Sequence, residues 1–110
     1  MDIALIGEHE YIPEWNDNEK EAEPVTIILK PLCAGNRAIL LELFSSVKEE
    51  KYMDFAVRHG VKEIKNLTVD GKPIKTGQEL LASFGAKLEL LVLNIGTEVI
   101  VKNQRPDLKN

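Results

Sequence analysis

The side chains in this sequence that could do chemistry are few: one cysteine (Cys33), two histidines (His9 and His59), and a crowd of carboxylates between Glu8 and Glu23. A nucleophile and base would require Cys33 to meet His59, with a third group orienting the imidazole. The sequence signals no such third group. Cys33 precedes a helical pattern, where a capping side chain is expected. A helix N-terminus lowers a thiol pKa, yet a weakly capping or buried thiol explains the position without catalysis. His59 stands beside Gly60 at a helix end, where a basic group favourably opposes the helix dipole. His9 falls in an acidic stretch and is expected to be solvated.

Metal and cofactor chemistry find no better support. Neither histidine has a second ligand at metal spacing, and a single cysteine excludes the usual zinc sites. The carboxylates of 8–23 lack the alternating Asp/Asn ligands and closing Glu of a calcium loop; Asn16-Asp17-Asn18 is too short a match. Gly35 and Gly71 stand alone rather than in a phosphate-cradling loop. The expectation is a protein that is not an enzyme and uses no cofactor or metal.

The 110 residues fit one domain, expected over 1–103, and one core. At 44% hydrophobic and 29% charged the balance is that of a globular protein. Six aromatic residues leave little for stacking on bases or sugars. The net charge of −4 is unevenly placed: residues 1–23 carry eight acids and one lysine. Residues 24–110 carry thirteen basic and ten acidic residues, too mixed for a DNA-binding footprint. Nucleic acid is therefore not an expected partner. No apolar run approaches the ~20 residues of a membrane-spanning helix, and Met1 to Gly7 lacks the length and positive start of a signal peptide. A cytoplasmic protein is expected.

The elements that would position these residues form an α+β domain, mainly helical, with an N-terminal β-hairpin and two long helices. Ile3 to Ile6 suits a short strand. Residues 8–13 and 24–30 suit the arms of a hairpin; Pro13 confines the first arm to an edge, and Val25-Thr26-Ile27-Ile28-Leu29 is the strongest strand signal. The polar run Asn16 to Glu23 between them is expected as a solvated tip. Ile39, Leu40, Leu43, Phe44 and Val47, then Tyr52, Phe55, Ala56 and His59, recur at helical steps. Residues 34–59 are one bent helix or two short ones, closed by Gly60. Residues 61–75 are expected to be irregular, with a tight turn at Asp70-Gly71.

Thr76-Gly77-Gln78-Glu79 has the spacing of a capping box. Behind it Leu81, Phe84, Leu88, Leu91, Ile95 and Val99 predict a helix over 77–101, loosened by Gly85 and Gly96. Leu80, Leu90, Val92 and Leu93 widen its apolar face. Ordinary core packing accounts for such a face; alternatively part of it, with Leu90, Leu91 and Leu93, stays uncovered to hold a partner helix. Residues 104–110 are expected to be a flexible tail.

The order of features adds a resemblance. Tyr11-Ile12-Pro13-Glu14-Trp15-Asn16-Asp17-Asn18 is followed by Val25 to Leu29 and by Lys30-Pro31-Leu32-Cys33-Ala34-Gly35-Asn36-Arg37. Val57-Arg58-His59-Gly60-Val61, Asn66-Leu67 and Asp70-Gly71-Lys72-Pro73-Ile74 come next, then a Leu-rich helix and a Lys-Asn tail. This series, over about residues 11–103, resembles the tail assembly chaperones of long-tailed bacteriophages and prophages. One departure is Cys33, where a Ser or Thr cap is expected. The resemblance implies a non-enzymatic protein of the host bacterial cytoplasm that binds the tape measure protein, with the tail-tube protein as a further candidate partner. It carries no defined binding residues. Leu88, Leu91, Leu93 and Ile95, chosen from the apolar face of the last helix, are the candidate contacts. The alternative is a structural virion component, a connector or tail-tube-end protein, that forms a homo-oligomeric ring.

Overall fold

The computed structural model describes residues 7–45, 49–83 and 88–103. The expected strand at Ile3 to Ile6 and the tail at 104–110 lie outside them. The α+β expectation holds. A three-stranded antiparallel sheet has the order β1 (His9–Tyr11), β2 (Thr26–Leu29), β3 (Val61–Lys65). A small hairpin pairs β4 (Thr68–Val69) with β5 (Lys72–Pro73). The helices are α1 (Ala34–Ser45), α2 (Glu49–Gly60), α3 (Gly77–Ala82) and α4 (Glu89–Lys102).

The strongest strand signal became the centre of the sheet. Val25, Thr26, Ile27 and Leu29 are buried and Ile28 is half-buried, as suits a β-branched run covered on both sides. The first hairpin arm pairs with it as expected, His9 opposite Leu29 and Tyr11 opposite Ile27. Its tip departs from expectation. Trp15–Lys20 forms a 3₁₀ segment in which Asn16 and Asp17 are left-handed, at φ 51° and 57°; Asn and Asp tolerate that region better than most residues. Asn18 is buried rather than solvated. Its Nδ2 donates to the carbonyls of Pro13 and Val25, both at 2.9 Å, and its Oδ1 accepts from the Val25 N–H at 2.7 Å. One amide thus ties the two ends of the acidic loop together.

Residues 61–75 are not irregular throughout, because β3 occupies Val61–Lys65 on the other edge of β2. The register shifts between Ile28 and Leu29, so the buried Val61 and Ile64 stand three residues apart. That bulge removes the two-residue alternation by which a strand is recognised. The turn at Asp70-Gly71 is present, with φ 51° and 80°.

The helical region over 34–59 is two helices, α1 and α2. The helix expected over 77–101 is also two. Ser83 donates its N–H to Glu79 and Leu80 carbonyls and closes α3, and α4 begins at Glu89. Ser is a poor helix former, and Ser83 falls where the periodic pattern runs on without a break. The capping box is real but rearranged. Thr76 Oγ1 accepts from the Glu79 N–H at 3.1 Å, while the Glu79 carboxylate meets the Thr76 hydroxyl instead of its backbone.

The core joins both layers: Ile27 and Leu29 from the sheet, Ala56 and Val57 from α2, Leu80 from α3, and Leu91, Ile95 and Val99 from α4. Helices α2 and α4 approach closely at glycines. A Cβ on Gly60 would lie 2.6 Å from Val99 Cγ1, and one on Gly96 would strike Met53 Sδ.

Candidate protein-binding surface

Cys33 and the two histidines are each engaged with different neighbours. Cys33 is exposed and caps α1: its Sγ accepts from the Asn36 N–H at 3.4 Å, and its carbonyl from the Arg37 N–H. His59 packs against Phe55 one turn earlier, ring centroids 4.3 Å apart. His9 is not merely solvated, since its Nε2 lies 3.3 Å from Glu98 Oε2 and links β1 to α4. Tyr11 is nearby, its phenol pushed above the ordinary tyrosine pKa by burial and then by Glu98 and Glu14. Among the described residues no group of three or more His, Cys, Asp or Glu is placed to hold a metal ion. No helix among them is long and apolar enough to cross a membrane.

The apolar helices offer more. At roughly 100° per residue, the buried side of α4 carries Leu91, Val92, Ile95, Val99 and Ile100. Three of the four candidate contacts therefore belong to the domain's own core: Leu91 and Ile95 are fully buried, and Leu88 retains 8% exposure. The core-packing reading of this face holds for them. Leu93, the fourth, is half-buried at the edge of that core.

On the opposite side of α4 lie Leu90, Asn94, Thr97 and Val101, at steps of four, three and four residues. Leu90 is 55% and Val101 48% exposed. This outward stripe contains no charge; Glu89, Glu98 and Lys102 stand to its sides. A helix facing water normally carries charged residues there. The stripe has the spacing of a seam that receives a second helix.

Helix α1 shows a related excess. Ile39, Leu43, Leu40, Phe44 and Leu41 spread over an arc of roughly 200°. Only Leu40 is buried, while Ile39 and Phe44 are 45% and 47% exposed. Phe44 packs edge-on against Tyr52 at 5.2 Å. The helical spacing in the sequence groups Ile39 and Phe44 with Leu40 and Leu43 on one apolar face. The signal that not all of this face is buried was the width of the arc, which exceeds what one neighbouring helix can cover.

No protein-family model matches the chain, nor does any curated protein or solved structure.

Proposed function

We propose that this chain is a tail assembly chaperone of the long-tailed phage type, acting in the host bacterial cytoplasm by binding an apolar helical stretch of the tape measure protein. The observation that carries the reading is the uncharged outward stripe of α4, Leu90, Asn94, Thr97 and Val101. An unassembled tape measure helix has an apolar face that must be kept from self-association. A groove-free helical ridge with this spacing covers such a face through i, i+3, i+4 and i+7 contacts. Leu93 borders the stripe and belongs to the contact, whereas Leu88, Leu91 and Ile95 support it from beneath. The exposed Ile39 and Phe44 of α1 supply a second apolar patch for the same long partner. The acidic side chains of 14–23 face water as a solubilising element.

The test is co-expression with a candidate tape measure protein, followed by affinity capture and measurement of the partner's solubility. The chain should co-purify and hold the partner in the soluble fraction. Leu90→Glu and Val101→Glu should abolish capture without unfolding the domain. An aggregated partner, together with rings formed by this chain alone and retained in purified particles, would replace the proposal with a structural virion role.

A further inference from the structure

A second site lies away from the outward stripe of α4, where the end of β2 meets the start of α1 and the end of α4. A cleft of about 400 Å³ opens there, within the size range of small-ligand sites. Pro31 and Leu32 give it apolar surface over the buried Leu29 and Val99, and Lys30, Arg37 and Lys102 stand around it. Among the described residues none of these three cations lies in an ion pair. The two remaining charged or titratable lining groups are already engaged, Glu8 by Lys62 and His9 by Glu98. In a chain of net charge −4, three unpaired cations at one cleft form a local reversal of sign.

The cleft is also built rather than incidental. Arg37 Nε donates to the Asn103 carbonyl at 2.6 Å, which fixes the guanidinium at the rim and leaves its terminal nitrogens for another acceptor. Asn103 is held in turn: its Nδ2 donates to the Val99 carbonyl at 2.8 Å, and its Oδ1 accepts from the Leu32 N–H at 3.3 Å. A guanidinium anchored through Nε presents the end-on fork that pairs with a planar carboxylate.

The geometry points to a binding site for a peptide carboxylate flanked by an aliphatic side chain, the carboxylate meeting Arg37, Lys30 and Lys102 and the aliphatic group resting on Pro31 and Leu32. A phosphate fits less well. Phosphate sites recruit free backbone N–H groups, and on this wall the Lys30 N–H donates to the Gly60 carbonyl, the Leu32 N–H donates to Asn103, and Pro31 has none. This inference stands on the cleft alone and does not depend on the tail-chaperone reading.

The test is a titration of the ¹⁵N-labelled full chain followed by amide and Arg Nε shifts. The probes are N-acetyl-Gly-Leu-Leu with a free C-terminus, the same peptide as its C-terminal amide, N-acetyl-Leu-Glu-Leu amide, and inorganic phosphate at matched ionic strength. The free acid or the Glu peptide should shift Leu32, Asn103 and Arg37 Nε, and comparison of the two tells a chain end from an acidic side chain. The uncharged amide should bind about tenfold more weakly, the worth of one charge-assisted hydrogen bond. Arg37→Gln should weaken binding most. Because Arg37 also ties α1 to α4, Lys30→Gln combined with Lys102→Gln tests the charge without touching that tie, and should weaken binding severalfold. Equal binding of acid and amide, stronger binding of phosphate, shifts confined to other surfaces, or no shifts at millimolar peptide would each overturn the assignment.

Discussion

Replacing Asn18 with Ala removes one side chain that satisfies three buried backbone groups. The Val25 N–H loses its acceptor, and the Pro13 and Val25 carbonyls lose their donor. No compensating partner is within the loop, whose other polar side chains face water. A buried group left unsatisfied costs about 1–3 kcal/mol. The two carbonyls can recover part of this through water, so the expected loss is about 2–4 kcal/mol. For a domain of this size that is a large share of a total stability of roughly 5–15 kcal/mol. The assay is urea unfolding followed by circular dichroism, with a lowered midpoint at unchanged slope. Asn18→Asp sharpens the test. Its carboxylate can still accept from Val25 but faces two carbonyl oxygens, so the ionised form is disfavoured in the folded state. The aspartate pKa then rises on folding, and the deficit relative to the parent chain should shrink as pH falls and the carboxyl becomes a donor. A loss below about 1 kcal/mol for Asn18→Ala, or an Asp variant whose deficit ignores pH, would refute the account of this loop.

Gly77→Ala should destabilise by about 2 kcal/mol or more, read by the same unfolding curve, because the new methyl meets the Val57 carbonyl and lies 3.3 Å from Val61 Cβ. Cys33→Ser should stabilise by about 0.5–1 kcal/mol, seen as a higher Tm, since a hydroxyl caps the Asn36 N–H better than sulfur does. Tyr11 titrates above its ordinary value of 10.0 in the folded chain, so it holds its proton to higher pH than in the unfolded chain. Its contribution is intact below about 10 and is lost as pH rises from there through the folded value; Tyr11→Phe should lessen the fall in stability across that window. Leu90→Glu should change stability by no more than about 0.5 kcal/mol, whereas Leu91→Glu, which buries a charge, should prevent folding, as circular dichroism of the two variants will report.

The features legible in the sequence were those encoded locally. The β-branched run at Val25 to Leu29, the Asp70-Gly71 turn and the Thr76 cap each follow from a few adjacent side chains. What escaped depended on distant partners. The strand Val61–Lys65 exists because β2 had an open edge, and its bulge hid the alternation. Asn18 looks like every other polar residue in its run until the carbonyls it joins are brought together. The apolar width of the last helix was visible, but a wide face does not reveal which part meets the sheet and α2. Hence Leu88, Leu91 and Ile95 could not be told from Leu90 before the fold was known.

The paired glycines at the contact of α2 and α4 have a consequence for how this chain can change over time. Gly60 of one helix receives Val99 of the other, and Gly96 receives Met53 in return. Two teeth in two notches, offset along the axis, oppose both sliding and rolling of one helix against the other. The notch at Gly60 cannot be filled alone without displacing the branched Val99, filling the one at Gly96 forces the Met53 thioether aside, and neither tooth can shrink alone without leaving a void. Divergence at this seam must therefore proceed by matched exchanges, an enlarged glycine answered by a trimmed valine or methionine. Among descendants of this chain, positions 60 and 99 should vary together, as should 53 and 96, while the outward stripe of α4 is free to drift with whatever it touches.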